Sequence, residues 1–494
     1  MDIVRNFPFF SIILTLFSGS VSSVLKAKAA RVVNRIVLLT TMALSLMTLL
    51  YVLYTGESYI FWMGHFPAPF GNEIRVGTLE AGMALFFCII MLLSLWGGQK
   101  RLEEEIESSK LHYYYILTNL MLCSLLALIY TNDLFSAYVF VEINTISACG
   151  LIMIRQTGRT IEAAVRYMIM SLLGSGLLLL GLCMLYDLTG HLLMSNIKEA
   201  VAILHASGEY HVPLTVTIAL MTIGLSIKSA LFPFHTWVPD AYGYSTGASA
   251  SILSSMVSKG YIFLLIKIIY RVFGFDVFHD TMITNVIFVF GLAGMIFGST
   301  SAIREKDIRR MIAFSSVAQI GYIYMGIGMG TQAGMIAAVF HILSHAATKA
   351  LLFLAGVRLT DASGGSKRFE ELTGSAYRNK IAGVAFAAGS LSMVGVPLFS
   401  GFISKLLFAQ AAVQNTGKML PALIVLAIST VLNAAYFMRT VICIYTPSAP
   451  VKEQPAYSKL SAAACLGLVF LNVFLGCLSQ PIVDWITKGL EMFA

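Results

Sequence analysis

The chain is built of long apolar runs separated by short polar pieces, from one end to the other. Each run is near the ~20 residues that a helix needs to cross a bilayer. The pattern predicts about fourteen spans, at 8–25, 36–54, 79–98, 112–130, 134–154, 163–186, 213–232, 248–270, 281–300, 311–329, 333–356, 381–410, 420–438 and 460–485. Backbone polar groups in lipid must bond within their own segment, so runs of this length are read as helices and the fold class as all-α, a polytopic membrane protein. The run from Phe9 to Leu25 has no strongly basic leader and no clear small-residue cleavage site, so it is expected to be a retained helix with Met1 attached.

Composition strengthens this reading. Of 494 residues, 57% are hydrophobic and 12% charged, where soluble domains carry about 25% charged residues. Mean hydropathy is +0.81. Lysine and arginine are sorted unevenly between alternate loops. With the N-terminus outside, Lys26, Arg31, Lys100, Arg101, Arg155, Arg304, Arg309, Arg310, Lys367 and Arg378 all fall inside, and little more than Arg5, Arg75, Lys198, Arg271, Lys418 and Lys488 falls outside. Short basic loops stay cytoplasmic, so both termini are expected on the outer side of a bacterial or archaeal cell membrane. The net charge of +8 then follows from topology, without nucleic acid as a partner.

The seven cysteines are scattered through apolar spans with no CxxC or Cys/His cluster, and no phosphate-binding loop or GxGxxG lies on a strand–turn–helix. No cofactor or metal is expected in this chain, and redox or nucleotide chemistry would belong to a partner. The informative residues are those that lipid should exclude: Glu142, Lys228, Lys259, Lys349 and Lys405, with His341 and His345 beside them. A midplane lysine costs about 2.5–3.5 kcal/mol, so four cost on the order of 10 kcal/mol before pairing or hydration. That rivals the ~5–15 kcal/mol net stability of a domain. Such residues persist where they face protein, pair or line water, and they mark ion paths by default. Lys267, close to Arg271 near a helix end, instead reads as a side chain that snorkels to the headgroups. Glu142, ~12 Å into its span, is too short to do so.

Lys228 is followed by Pro233, and Lys405 is preceded by Gly395, Pro397 and Gly401, so two helices are interrupted beside a charge and suggest two related halves. Kinks used only for packing are the alternative. His341, His345 and Lys349 recur every fourth residue and share a helix face. A lone buried histidine is ordinarily a satisfied core residue, whereas three proton-exchanging groups on one stripe favour a relay. Zinc is disfavoured because no glutamate or cysteine completes a ligand set.

These residues resemble the antiporter-like membrane subunits shared by Mrp cation/proton antiporters, energy-converting membrane hydrogenases and respiratory complex I. The resemblance covers nearly the whole chain. It rests on Asn132-Asp-Leu-Phe through Glu142, Lys228 through Pro233, Trp237 and Asp240, and Leu253-Ser through Lys259. It continues in Asp307-Ile-Arg309-Arg310 through Gly321 and in His341, His345 and Lys349. It implies two pseudo-symmetric five-helix repeats, each with an interrupted helix. The corresponding divisions are N-terminal helices at 1–110, a first repeat at 111–275, a second at 276–445 and a last helix in 446–494. By the same resemblance Glu142 pairs with Lys228, Lys259 passes protons along the central axis, and Lys349 with the two histidines continues it. Lys405 serves the distal half-channel. The chain departs from the family after Asp240, where Ala241-Tyr-Gly243-Tyr-Ser-Thr-Gly247 replaces an acidic residue and an Ala-Pro pair, so this loop is expected to be more mobile. No long carboxy-terminal extension is expected beyond Ala494, so the chain is not expected to be of the subunit type that carries a lateral helix.

The function implied is a proton-translocating subunit of a multisubunit complex, with the segment ending at Glu142 most like D-type Mrp subunits and their hydrogenase relatives. Membership of complex I is the near alternative. A standalone secondary transporter and a structural scaffold are the readings from other classes. Expected partners are other membrane subunits, lipid and protons, with Na+ as the second candidate ion.

Overall fold

The computed structural model describes residues 2–67, 71–447 and 458–493. Met1, expected to be retained, and part of the segment 446–494 lie outside the described residues. The chain opens with α1 (Phe7–Ser22) and α2 (Ala27–Thr55), then a hairpin of β1 (Tyr59–Trp62) and β2 (Glu73–Val76). There follow α3 (Thr78–Glu105), α4 (Leu111–Tyr130), α5 (Leu134–Met153), α6 (Gly158–Thr189), a short α7 (Met194–Ser207) and α8 (His211–Ser229). Next come α9 (Val238–Tyr244), α10 (Gly247–Ile252), α11 (Ser258–Ile268) and α12 (Phe275–Asp280), with π-helical turns at Leu253–Val257 and Ile269–Phe273. The second half runs through α13 (Ile283–Arg304), α14 (Ile308–Gly328), α15 (Gln332–Asp361), α16 (Ser375–Arg378), α17 (Lys380–Val394), α18 (Ser400–Gln414) and α19 (Thr416–Tyr445). It ends with α20 (Lys459–Cys477) and α21 (Ser479–Glu491).

Among the described residues, thirteen helical stretches are long and apolar enough to cross a membrane. The predicted span at 381–410 is divided between α17 and α18, neither of which is long enough alone. The predicted span at 460–485 is corrected: α20 stops at Cys477, and α21 is a separate helix that docks Ile486, Gly489 and Leu490 inward. Pro481, in the first turn of α21, has no amide hydrogen to return to the Cys477 carbonyl, which favours a break before it.

Local sequence sets the helix ends. Asp133 caps α5 through the Ser136 amide at 2.6 Å, and Asp307 caps α14 through the Arg309 and Arg310 amides at 2.8 and 3.2 Å. Inside the bundle, small residues let backbones meet. A Cβ on Gly291 of α13 would lie 2.6 Å from the Met325 nitrogen of α14, and one on Gly224 of α8 would lie 2.7 Å from the Gly174 carbonyl of α6.

Cross-links define two ends of the bundle. At one end the hairpin meets the α4–α5 turn through Ile74 and Thr131, Asp133 pairs with Leu193 ahead of α7, and the Arg75 guanidinium reaches the Met492 carbonyl. Arg5 donates to the Ile60 carbonyl at 3.5 Å, so the segments around Arg5 and Met492 both lie on this hairpin face. At the other end Arg101 meets Asp361 at 3.4 Å and Asp307 pairs with Arg368.

Candidate functional site

Lys228 lies in the last turn of α8, ahead of Ala230 in the left-handed region (φ 68°) and a cis Phe232–Pro233 bond. Its side chain is fully buried, and Nζ lies 3.6 Å from Glu142 Oε1 on α5. The ammonium donates to Thr145 Oγ1 at 2.8 Å and Ser171 Oγ at 3.1 Å, and lies 5.5 Å from the Tyr261 ring centroid. Ser175 donates to the Glu142 carboxylate. The pairing implied by the family resemblance is therefore present as an ion pair with hydroxyl partners. Glu142 does differ from expectation in one respect: 26% of its side chain is exposed, so it opens sideways on the flank of the bundle.

Lys259 is the second residue of α11 and is fully buried. The π turn at Leu253–Val257 widens the helix just before it, and Lys259 Nζ donates back to the Ser254 carbonyl. Single π turns loosen the usual backbone ladder in this way. On α15, His341 and His345 stack with ring centroids 5.7 Å apart and an interplanar angle of 11°, and Tyr322 stacks on His341 at 5.5 Å. His341 Nδ1 bonds Ser404 Oγ at 2.6 Å. The second nitrogen of His341 and both nitrogens of His345 are buried without a hydrogen-bond partner among the described residues. Lys349, one turn further along α15, donates to the Ile312 carbonyl at 2.9 Å and to Ser315 Oγ. Lys405, six residues into α18, donates to the Met393 and Val394 carbonyls that end α17, at 3.0 and 2.6 Å.

The two interruptions therefore use lysine differently. Lys228 ends the helix before its break, and Lys405 reaches back from the helix after its break to cap the one before it. In between, Ser229 Oγ bonds Tyr324 Oη at 2.7 Å and links the first break to α14. The hydroxyls of Thr145, Ser171, Ser175, Ser315 and Ser404 were missed by sequence reasoning, since nothing local separates them from the many other serines and threonines of apolar helices.

Two expectations are corrected. Lys267 does not snorkel: it is fully buried and donates to the Leu128 and Ile129 carbonyls at the end of α4, at 3.4 and 2.6 Å. The turn after Asp240 is clamped. Arg309, itself buried, donates to the Tyr242, Ser245 and Thr246 carbonyls at 3.0, 2.6 and 3.5 Å, and Lys367 donates to the Gly243 carbonyl at 3.1 Å. A Cβ on Gly243 would lie 2.9 Å from Arg310 Cγ, so this glycine permits a close approach. That approach lets Arg310 pair with Asp240, which Arg166 also meets at 3.0 Å.

Comparison with known proteins agrees with this architecture. Residues 131–433 match the family described as NADH:quinone oxidoreductase/Mrp antiporter, transmembrane. The N subunit of the NADH-quinone oxidoreductase of Desulforudis audaxviator is 32% identical over 456 residues, covering 90% of this chain and 87% of that protein. The D-type subunit of the Na(+)/H(+) antiporter of Alkalihalophilus pseudofirmus is 26% identical over 439 residues, covering 87% and 85%. A component of the archaeal membrane-bound sulfane sulfur reductase superposes with a TM-score of 0.89 at 26% identity, covering 100% of this chain and 98% of its own. A component of the Mrp complex from Dietzia sp. DQ12-45-1b shares the fold, with a TM-score of 0.87 at 24% identity over 99% and 97% of the two chains. The chain is a multi-pass membrane protein that belongs to the NADH:quinone oxidoreductase/Mrp antiporter transmembrane family.

Proposed function

We propose that this chain is a proton-translocating subunit of a larger membrane complex, and that protons pass along Lys228, Lys259, His345, His341 and Lys349 to Lys405. The observation that carries this reading is the buried Lys228–Glu142 pair, 3.6 Å apart with Thr145, Ser171 and Ser175 as hydroxyl partners. Moving an ammonium and a carboxylate together or apart changes how strongly each holds its proton, which is what a gated transfer needs. The unpartnered nitrogens of His341 and His345 are the kind of buried donors and acceptors that water satisfies. The partial exposure of Glu142 on the flank supports a neighbouring subunit there, because a carboxylate facing lipid is costly.

In this reading both termini face the outside, which keeps the basic loops around Arg101, Arg309 and Lys367 cytoplasmic. The driving chemistry, redox or otherwise, resides in partner subunits, and Na+ is the alternative ion. A second reading, membership of an NADH:quinone oxidoreductase, is favoured by the 32% identity to the N subunit of such a complex. Co-purification of iron–sulfur and flavin subunits with the chain separates that case from an Mrp-type assembly.

The test is proton movement across vesicles that hold the native complex, with assembly measured in parallel. Lys228→Ala is expected to abolish movement and Glu142→Gln to slow it. Unchanged movement in both assembled variants would make the chain a scaffold.

A further inference from the structure

Beneath the hairpin lies a second group of buried charges that the central row does not include. Lys267 stands eight residues beyond Lys259 on the same helix, ~12 Å further toward the hairpin face at 1.5 Å per residue. It is fully buried, and its bonds to the Leu128 and Ile129 carbonyls place it at the end of α4, where Thr131 pairs with Ile74 of the hairpin and Glu80, Arg271 and Arg75 are the neighbouring charges. Glu80, in the first turn of α3, is also fully buried; one carboxylate oxygen accepts the Gly77 amide at 3.0 Å. Its other oxygen has no hydrogen-bond partner among the described residues, and the nearest cation, Arg75 Nη1, stands 4.0 Å away. Arg75 Nη1, Arg271 Nη1 and the hydroxyl of neighbouring Tyr130 are likewise buried and unpartnered among the described residues. Glu73 faces the group from β2, where it accepts Trp62 Nε1 at 3.1 Å and Asn132 Nδ2. Lys198 of α7 and Asp276 of α12 complete the charges on this side.

Ionic groups gathered at helix ends with open hydrogen-bond valence on both an acid and its neighbouring cations are built to meet water. We propose that Glu80 and Lys267 form the proton-exchange station through which the central row reaches the water on the hairpin face. The inference rests on the proton path proposed above. In one passage Glu80 Oε1 takes a proton from the water side, the Lys267 ammonium gives one toward Lys259, and the proton on Glu80 then passes through intervening water to the neutral Lys267 amine; the reverse order carries a proton the other way. Charge therefore returns to its starting value after each passage. Arg75, 4.0 Å from Glu80, and Arg271 are the fixed positive charges beside the carboxylate and take no part in the transfers.

Two variants keep the local structure while removing the chemistry. Glu80→Gln preserves the bond to the Gly77 amide but takes no proton, and Lys267→Arg preserves charge and donors to the Ile129 carbonyl but gives none up. The initial rate of proton movement by the native complex in vesicles is measured as pH on the hairpin face is varied and the opposite side is held fixed. Both variants are expected to assemble, to run about a hundredfold slower and to lose the dependence on hairpin-side pH. A wild-type rate and profile in either variant overturns the station, as does failure of both to assemble; if one alone fails, the other decides. Lys259→Ala in the same vesicles separates the two readings. A lost rate there with normal Glu80→Gln and Lys267→Arg overturns the station alone, and normal rates in all three overturn the proton path with it.

Discussion

At the scale of single residues, the environment of each charge can be tested. Gly401 is the second residue of α18, packed against the end of α17, and a Cβ there would overlap the Ser392 carbonyl oxygen. Gly401→Ala forces the two half-helices apart and is expected to destabilise the fold by about 1–3 kcal/mol or more. Thermal unfolding in detergent measures this, and an unchanged midpoint would mean that the break is not held by this contact. Lys367, in the loop after α15, is brought down from 10.5 to about 8, first by burial and then by the neighbouring Arg309. Between pH 8 and 10.5 the unfolded chain holds a proton that the folded chain has lost, so stability rises with pH through that window. Lys367→Gln removes this part of the rise. An identical pH dependence of the unfolding midpoint in the two proteins would contradict the assignment.

At the scale of elements, the clamp on the α9–α10 turn carries the next prediction. Arg309 belongs to the second half of the chain and holds three carbonyls of the first half's interrupted helix. Arg309→Gln leaves them poorly satisfied and is expected to cost about 1–3 kcal/mol, with new protease cleavage around 241–247. An unchanged digest would show that the turn is rigid without it. This clamp also marks the limit of what the sequence discloses. The spans, the two breaks and the charged row were legible because hydropathy, proline and an ion in lipid are each local signals. The hairpin, α7, α21 and the burial of Lys267 were not. Lys267 lies near a helix end in the sequence, yet its partners are carbonyls about 140 residues earlier, at Leu128 and Ile129. Glu73, Glu80, Arg75 and Arg309 lie at span ends, where a charge is unremarkable until packing encloses it. The Gly243 and Gly247 pair reads as a mobile loop in one dimension and as a close approach in three.

At the scale of the whole molecule, ionisable groups run from the flank at Glu142 through the centre at Lys259 to the second break at Lys405. Glu142 and the four lysines are held by hydroxyls or by carbonyls at a π turn or a helix end, whereas His345 has no hydrogen-bond partner among the described residues. Cost and arrangement point the same way, since a row of buried cations is expensive and only a path or a strong packing need would retain it. Lys259, fully buried just after the π turn, stands between the Lys228–Glu142 pair and the α15 row in the proposed path, so it tests the account most directly. The measurement is proton movement by the native complex in vesicles with Lys259→Met, a variant that keeps the side chain's bulk without its charge. The account predicts an assembled complex whose proton movement falls to the background of empty vesicles. An assembled Lys259→Met complex that moves protons at the wild-type rate would contradict it.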